Sequence, residues 1–550
     1  MKNRNILFAA LTAAFVFLMS LPFLIPHMGW TALIGLIPLL CMERIAHITG
    51  MKRFWVWHYS AFALWNAVTT FWVCNATIGG GIFAILANSL QMSLVFGLFR
   101  WSRKVLKGVL PYIFLAALWI AWEKYYLVSA QISWPWLVLG NAFAGTTHLA
   151  QWYEYLGTLG GSLWIWACNL SVFGIMVSLS DASWQSFNAK AKTAYGLGTV
   201  LLIVGPAIFS LYLYKSYTET DEPLEVAIFQ PNIDPYNKFE RLSQEQQNAI
   251  LLDQMSSAMA SRRDSSETIL AIAPETFTGD IITGDYRQSR TWRRFRDFLS
   301  DKPGVNLLFG ASSYDRIISE TAPSPTARHA GSDRWIESHN SALMMDSNGD
   351  TQIYHKSKLV VGVEMTPYPK IFCKIDDLLG GVMGRCVGQK QTVPLYCTAT
   401  DSDTEANSPI PIGCAICYES VYPEHCARYI QAGASVLAVI TNDAWWGDTP
   451  GYRQHLNYAR LRAIENRRDI ARCANTGISA IIDQRGDILA ETHWWQKETL
   501  RSHVNLNNEK TFFSENGDFA GRLCTFIATM LLLCCITRLA IRRDSADGQS

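Results

Sequence analysis

Apolar residues follow two rhythms along this chain: before residue 216 they run in long uninterrupted blocks, and from Leu224 they come as short runs separated by polar segments. A helix needs about 20 mostly apolar residues to cross a bilayer core. Blocks at 6–26, 30–47, 55–77, 82–100, 109–127, 161–180 and 195–214 approach that length, and an eighth lies at 521–541. The first block lacks a small-residue cleavage site and further blocks follow at once, so it reads as a retained anchor rather than a signal peptide. The second rhythm predicts buried strands at 226–229, 268–272, 305–309, 341–345, 410–416, 435–440 and 477–482. Charged segments of helical period, such as 243–262 and 455–468, lie between them. Strands alternating with helices predict a layered α/β domain. Segments 317–338 and 398–409, rich in Ser, Thr, Asp and Pro, read as exposed loops.

Charge adds an orientation. Cytoplasmic loops carry an excess of Lys and Arg. Lys2 and Arg4 precede the first block; Arg44, Lys52 and Arg53 follow the second; Arg100, Arg103, Lys104 and Lys107 follow the fourth; Lys190 and Lys192 follow the sixth; Arg538, Arg542 and Arg543 end the eighth. The loops after the first and third blocks hold neither Lys nor Arg. Both termini are therefore expected inside and residues 216–520 outside, which divides the chain into a seven-helix region 1–215, an outer domain 216–520 and a final helix with a short tail, 521–550. The uncharged segment 128–160, with Trp134-Pro135-Trp136, reads equally as an interfacial segment or as a structured loop closing the bundle.

The net charge of +1 gives no footprint for nucleic acid. Seven cysteines fall in the outer domain: Cys373, Cys386, Cys397, Cys414, Cys417, Cys426 and Cys473. An oxidising compartment permits disulfides among them, and an odd number leaves one thiol over. No CxxC pair with matching His is present, so a structural zinc site is not expected.

Three patterns place ionisable groups at predicted strand ends. Pro274-Glu275 follows the strand 268–272; Tyr354-His355-Lys356 is followed by Glu364; Cys414-Ala415-Ile416-Cys417-Tyr418-Glu419 runs from an apolar strand into a polar turn. Each alone is ordinarily structural: a solvated loop acid, a charged face, a buried thiol. Together they supply what a thiol needs to attack an acyl carbon: Glu275 as base, Lys356 as cation for the oxyanion, Cys417 as nucleophile. A neighbouring Lys is also expected to lower the thiol pKa.

In that chain order the three resemble the Glu-Lys-Cys triad of the nitrilase superfamily of carbon-nitrogen hydrolases. Thr441-Asn442-Asp443-Ala444-Trp445-Trp446-Gly447, Gln454-His455, Ala459-Arg460-x-Arg462-Ala463-x-Glu465 and Ala474-Asn475-Thr476-Gly477-Ile478-Ser479 resemble its apolipoprotein N-acyltransferase branch. The resemblance implies eight transmembrane helices and an extracytoplasmic nitrilase-like α-β-β-α sandwich. It implies supporting roles for Glu364, Tyr418 and Glu419, and substrate-binding roles for Phe239, Trp136, Asn442 and Trp445. Lys358 stands where the family has His, and Phe239 where it often has Trp.

The implied reaction takes an acyl chain from a membrane phospholipid onto Cys417 and passes it to the N-terminal amine of a diacylglyceryl apolipoprotein. It is expected to need no cofactor or metal, to be carried out by a monomer, and to belong to a bacterial inner membrane with the catalytic domain periplasmic. Two rivals are a membrane-tethered amidase using the same triad and a transporter or receptor whose outer domain only binds. Seven spans exceed what a tether needs, and few charges fall within the spans.

Overall fold

The computed structural model describes all residues except 1, 182, 236, 237, 239, 240, 261–266, 379–382, 400–408 and 548–550. The chain forms two compact units, one of Met1–Tyr217 with Asn516–Ser550 and the other of Thr218–Glu515.

The first unit is helical. Among the described residues, six of its helical stretches are long and apolar enough to cross a membrane: Asn3–Leu24, Gly29–Ile48, Ile78–Ser102, Tyr153–Ser180, Ala189–Ser216 and Phe519–Ile541. The blocks at 55–77 and 109–127 form the shorter helices Trp55–Thr70 and Leu110–Val128, and the second of these carries Glu123 and Lys124. Large apolar side chains such as Phe17, Leu94 and Leu201 point outward. Polar ones point inward: the Asn88 amide donates to Asn66 Oδ1 at 2.8 Å, and Tyr126 donates to Asn88 Oδ1 at 2.9 Å. This inversion of the water-soluble pattern suits helices solvated by lipid, where polar groups must find partners inside the protein.

Segment 128–160 folds into short turns up to residue 152, and Tyr153 begins the helix Tyr153–Ser180. Short helical turns Pro135–Leu137, Leu139–Phe143 and Thr147–Leu149 are buried almost throughout. Trp136 is 1% exposed, stacked on Trp134 and edge-on to Trp72. Glu123 fixes the loop by accepting the Leu139 N–H at 2.8 Å.

The second unit has fourteen strands among its described residues: β1 Pro223–Gln230, β2 Ile269–Ile272, β3 Thr278–Ile282, β4 Val305–Ile318, β5 Arg328–His329, β6 Arg334–Met345, β7 Thr351–His355, β8 Leu395–Cys397, β9 Ile410–Ile416, β10 Val436–Thr441, β11 Ile470–Ala474, β12 Ala480–Ile482, β13 Ile488–Glu491 and β14 Glu498–Asn505. They form one sheet ordered β14-β1-β2-β4-β6-β5, with β3 on β4 and β7 on β6, and a second ordered β13-β12-β11-β10-β9-β8. The period of two is visible in β1: Val226 and Ile228 enter a core shared with the second sheet, whereas Ala227 and Phe229 face the helices Gln244–Ala260 and Arg290–Leu299. Helices Pro423–Gln431 and Pro450–Asn466 pack on the second sheet through Tyr429, Ile430, Leu456 and Ala459. The unit is thus a four-layer α-β-β-α sandwich.

Of residues 317–338, read as a loop, the two ends extend strands β4 and β6, which pair from Leu307↔Met345 to Ile318↔Arg334, and residues 319–333 connect them with the short strand β5. The outer half of this ribbon mixes Ile317, Ile318, Trp335 and Ile336 with Asp315, Arg316 and Glu337, so backbone pairing holds it and no clean alternation announces it. Residues 400–408 of the other expected loop lie outside the described residues. All 13 cysteines are free thiols, so no disulfide staples the sandwich.

Candidate active site

Strand ends bring the predicted groups together. β2 leads into Glu275, β7 into Lys356, β9 into Cys417 and β10 into Asn442. Gly310 of β4 lets the Glu275 turn lie close, since a Cβ there would fall 2.5 Å from Glu275 Cα. Thr276 follows with φ 46, and buried Lys238 bonds its carbonyl. Burial lowers the Lys238 ammonium to about 8 against the pull of Glu275.

Lys356, 1% exposed, donates to Glu364 Oε1 at 2.9 Å and Glu275 Oε1 at 3.2 Å. Asn340 of β6 bridges the same two carboxylates at 2.7 and 2.8 Å. The remaining oxygens take backbone N–H groups, Glu364 Oε2 from Val360 at 2.8 Å and Glu275 Oε2 from Asn442 at 3.1 Å. Burial works against the Lys356 charge, but Glu364 and Glu275 hold its ammonium well above the usual lysine range. Asn340 was not foreseen: a lone polar residue beside an apolar strand gives no signal that it faces two acids.

Cys417 sits partly exposed at the end of β9, with φ 51 in the left-handed region that side chains other than Gly rarely adopt. Nearby Cys414 is buried. Lys356 lowers the thiol pKa as expected, but it is outweighed. Burial, with Glu275 adding to it, pushes the Cys417 thiol well above its usual range, and Lys356 only opposes them. A thiol so held is protonated at rest and requires a base.

Glu419 ties the cysteine turn to the lysine loop. Its carboxylate accepts N–H bonds from Ile416 at 2.8 Å and Ser357 at 2.6 Å, and the Tyr354 hydroxyl at 2.8 Å. Burial disfavours that charge, yet His425 and the N–H donors hold the carboxyl below its usual range. Tyr418 is buried edge-on to Tyr422. Lys358 sets its ammonium 5.1 Å from the centre of the Tyr422 ring, whereas Lys356 is the lysine that bonds Glu275 and Glu364.

Of the remaining predicted residues, Asn442 reaches the site through its backbone, and its side-chain oxygen accepts from Asn475 at 3.3 Å. Trp445 lies half-buried in the turn Asp443–Trp446 next to it. Trp136 belongs to the helical unit and Phe239 lies outside the described residues. Among the described residues no group of His, Cys, Asp and Glu could hold a metal ion.

Residues 225–511 match the carbon-nitrogen hydrolase family, and residues 16–171 match the apolipoprotein N-acyltransferase N-terminal domain. The chain belongs to the carbon-nitrogen hydrolase family, in its apolipoprotein N-acyltransferase branch. It is 28% identical to an apolipoprotein N-acyltransferase of Chlorobaculum tepidum, over 93% of each chain. It is 26% identical to one of Geobacter metallireducens, over 100% of this chain and 97% of the relative. Among solved structures it is similar to Saccharomyces cerevisiae Nit3 of the nitrilase superfamily, at 14% identity over 52% of this chain and 92% of that one, with a TM-score of 0.37.

Proposed function

We propose that this protein is a membrane acyltransferase that moves a fatty acyl group from a phospholipid, through a thioester on Cys417, to the N-terminal amine of the diacylglyceryl cysteine of apolipoproteins. The observation that carries the reading is the buried cluster in which Glu275 and Lys356 are paired and Cys417 feels the charge of both. Membership of the branch and the near full-length likeness to enzymes named for this activity support it.

Glu275 takes the proton of the Cys417 thiol as sulfur attacks the ester carbonyl. The tetrahedral oxyanion is held by the Lys356 ammonium and a backbone N–H. The carbon–oxygen bond to glycerol then breaks, and Glu275 returns the proton to the departing lysophospholipid alkoxide. In the second half the lipoprotein amine gives a proton to Glu275 as its nitrogen attacks the thioester. The carbon–sulfur bond breaks, and the sulfur is reprotonated. Glu364 and Asn340 hold Lys356 and Glu275 in register, and Tyr418 and Glu419 shape the turn that carries the sulfur.

Eight spans follow from the apolar blocks, cytoplasmic termini and a periplasmic catalytic domain from the Lys and Arg of the short loops, and a bacterial inner membrane from the likeness to the named relatives. A monomer suffices, since one chain supplies every residue named, and Trp136, Trp445 and Phe239 are candidates for contact with lipid.

The test is intact-protein mass spectrometry after mixing the full-length protein with phosphatidylethanolamine vesicles. Wild type gains one acyl mass located on Cys417, and Glu275→Gln gains none. Turnover of small amides with no acyl mass on Cys417 would overturn the proposal in favour of an amidase.

A further inference from the structure

A second buried polar cluster meets Cys417 and takes no part in the proton transfers above. Thr441, Asp443, His455 and Arg472 are all 0% exposed. Asp443 Oδ1 accepts the Thr441 hydroxyl at 2.8 Å and lies 3.0 Å from His455 Nδ1, while Oδ2 takes Arg472 Nη2 at 2.6 Å. Burial works against the Asp443 charge, yet Arg472 and His455 hold its carboxyl well below the usual range.

Two arms run from Asp443 to the nucleophile. His455 Nε2 lies 3.0 Å from the Cys417 carbonyl oxygen, and that oxygen can only accept. Ser420 donates to the same oxygen at 2.8 Å. Thr441 follows Ile440 as Cys417 follows Ile416 in the paired strands β10 and β9, which sets its side chain beside the thiol. One residue is therefore held at its backbone carbonyl by His455 and Ser420 and flanked at its sulfur by Thr441, and His455 and Thr441 both meet one carboxylate. The residue so gripped is the one whose φ of 51 costs energy that its surroundings must supply.

We propose that His455 and Thr441, anchored on Asp443, are positioning residues that hold Cys417 in the left-handed conformation and aim its sulfur, so that acylation rather than lipid binding depends on them. The inference rests on Cys417 being the acylated thiol.

The experiment follows single-turnover acylation of the full-length protein by phosphatidylethanolamine vesicles, alkylation of Cys417 by iodoacetamide read by peptide mapping, and thermal unfolding. Thr441→Val, which keeps the shape and removes the hydroxyl, slows acylation about tenfold, and Thr441→Ser restores it to within about twofold. His455→Leu slows it about 100-fold, as misplacement of a reacting group does, and His455→Gln, which keeps a donor, recovers at least about tenfold of that. The half-saturating lipid concentration stays at the wild-type value throughout. Wild-type rates in Thr441→Val overturn the proposal even if His455→Leu fails to fold, as does a change confined to half-saturation or a His455→Gln as slow as His455→Leu. A wild type that never acylates Cys417 refutes the acyl-transfer reading instead, and the alkylation rates of Thr441→Val and Thr441→Ser then still decide the positioning.

Discussion

The cluster of Glu275, Lys356, Glu364 and Asn340 sets two carboxylates around one ammonium, whereas the cluster of Thr441, Asp443, His455 and Arg472 sets one carboxylate among three partners. The first is slightly open: the Glu275 and Glu364 side chains keep 8% and 14% of their surface, and Cys417 beside them is partly exposed. The second is sealed at 0% throughout. A carboxylate can accept about four hydrogen bonds, and Glu275 takes three from Asn340, Lys356 and Asn442, which leaves room for one more proton. Around Asp443 that room is closed, since even a Cβ on Gly477 would fall 2.7 Å from its Oδ2. Two ionic clusters thus divide the work, one with an acceptor position left open and the other closed.

That division can be broken from either side. Lys356→Met is expected to abolish acyl transfer, by about 10⁴-fold or more in single-turnover rate, because members of a catalytic set act as a unit. It also leaves two buried acids without their cation, at a cost of about 3–5 kcal/mol in thermal unfolding. Arg472→Met should cost a similar 3–5 kcal/mol in stability by stranding Asp443; a stable Arg472→Met protein would show that the sealed cluster is not holding the fold. Glu364→Gln keeps a shape that can accept from Lys356 but strips the charge, and should slow acylation by about 100-fold while shifting the melting temperature little.

A pH series sharpens the contrast further. The Cys417 thiol is raised, so its thiolate is scarce at neutral pH and its alkylation by iodoacetamide should keep climbing through pH 9, where an ordinary thiol levels off. A plateau below pH 8 would mean that Lys356 outweighs burial. The smallest effect belongs to Lys358→Gln, which removes a cation over the Tyr422 ring worth less than about 1 kcal/mol and should leave the acylation rate within about threefold of wild type.

Much of the architecture was legible because burial writes itself into hydrophobic period. The strands at 226–229, 305–309 and 410–416 are apolar runs, and each is a strand in the structure. β3, β5 and β7 were not legible: they are short or polar, and pairing to β4 and β6 defines them. Helix Pro369–Leu378 leaves its apolar residues Ile371, Phe372 and Leu378 exposed, so amphipathic spacing there marks no core within this unit. Glu275, Lys356 and Cys417 stood out because each follows a strand or a motif. Asn340 did not, since its role depends on two acids 65 and 24 residues away.

By itself the sequence determined which segments are apolar enough for lipid, which alternate for a sheet, and which reactive residue types stand at strand ends, because these are properties of neighbours along the chain. Only the tertiary structure decided that Asn340 spans both acids, that the Cys417 thiol is raised rather than lowered, and that His455 reaches the Cys417 carbonyl. Each of these turns on distance and desolvation among residues far apart in sequence, and burial energy depends on what surrounds a charge, not on what precedes it.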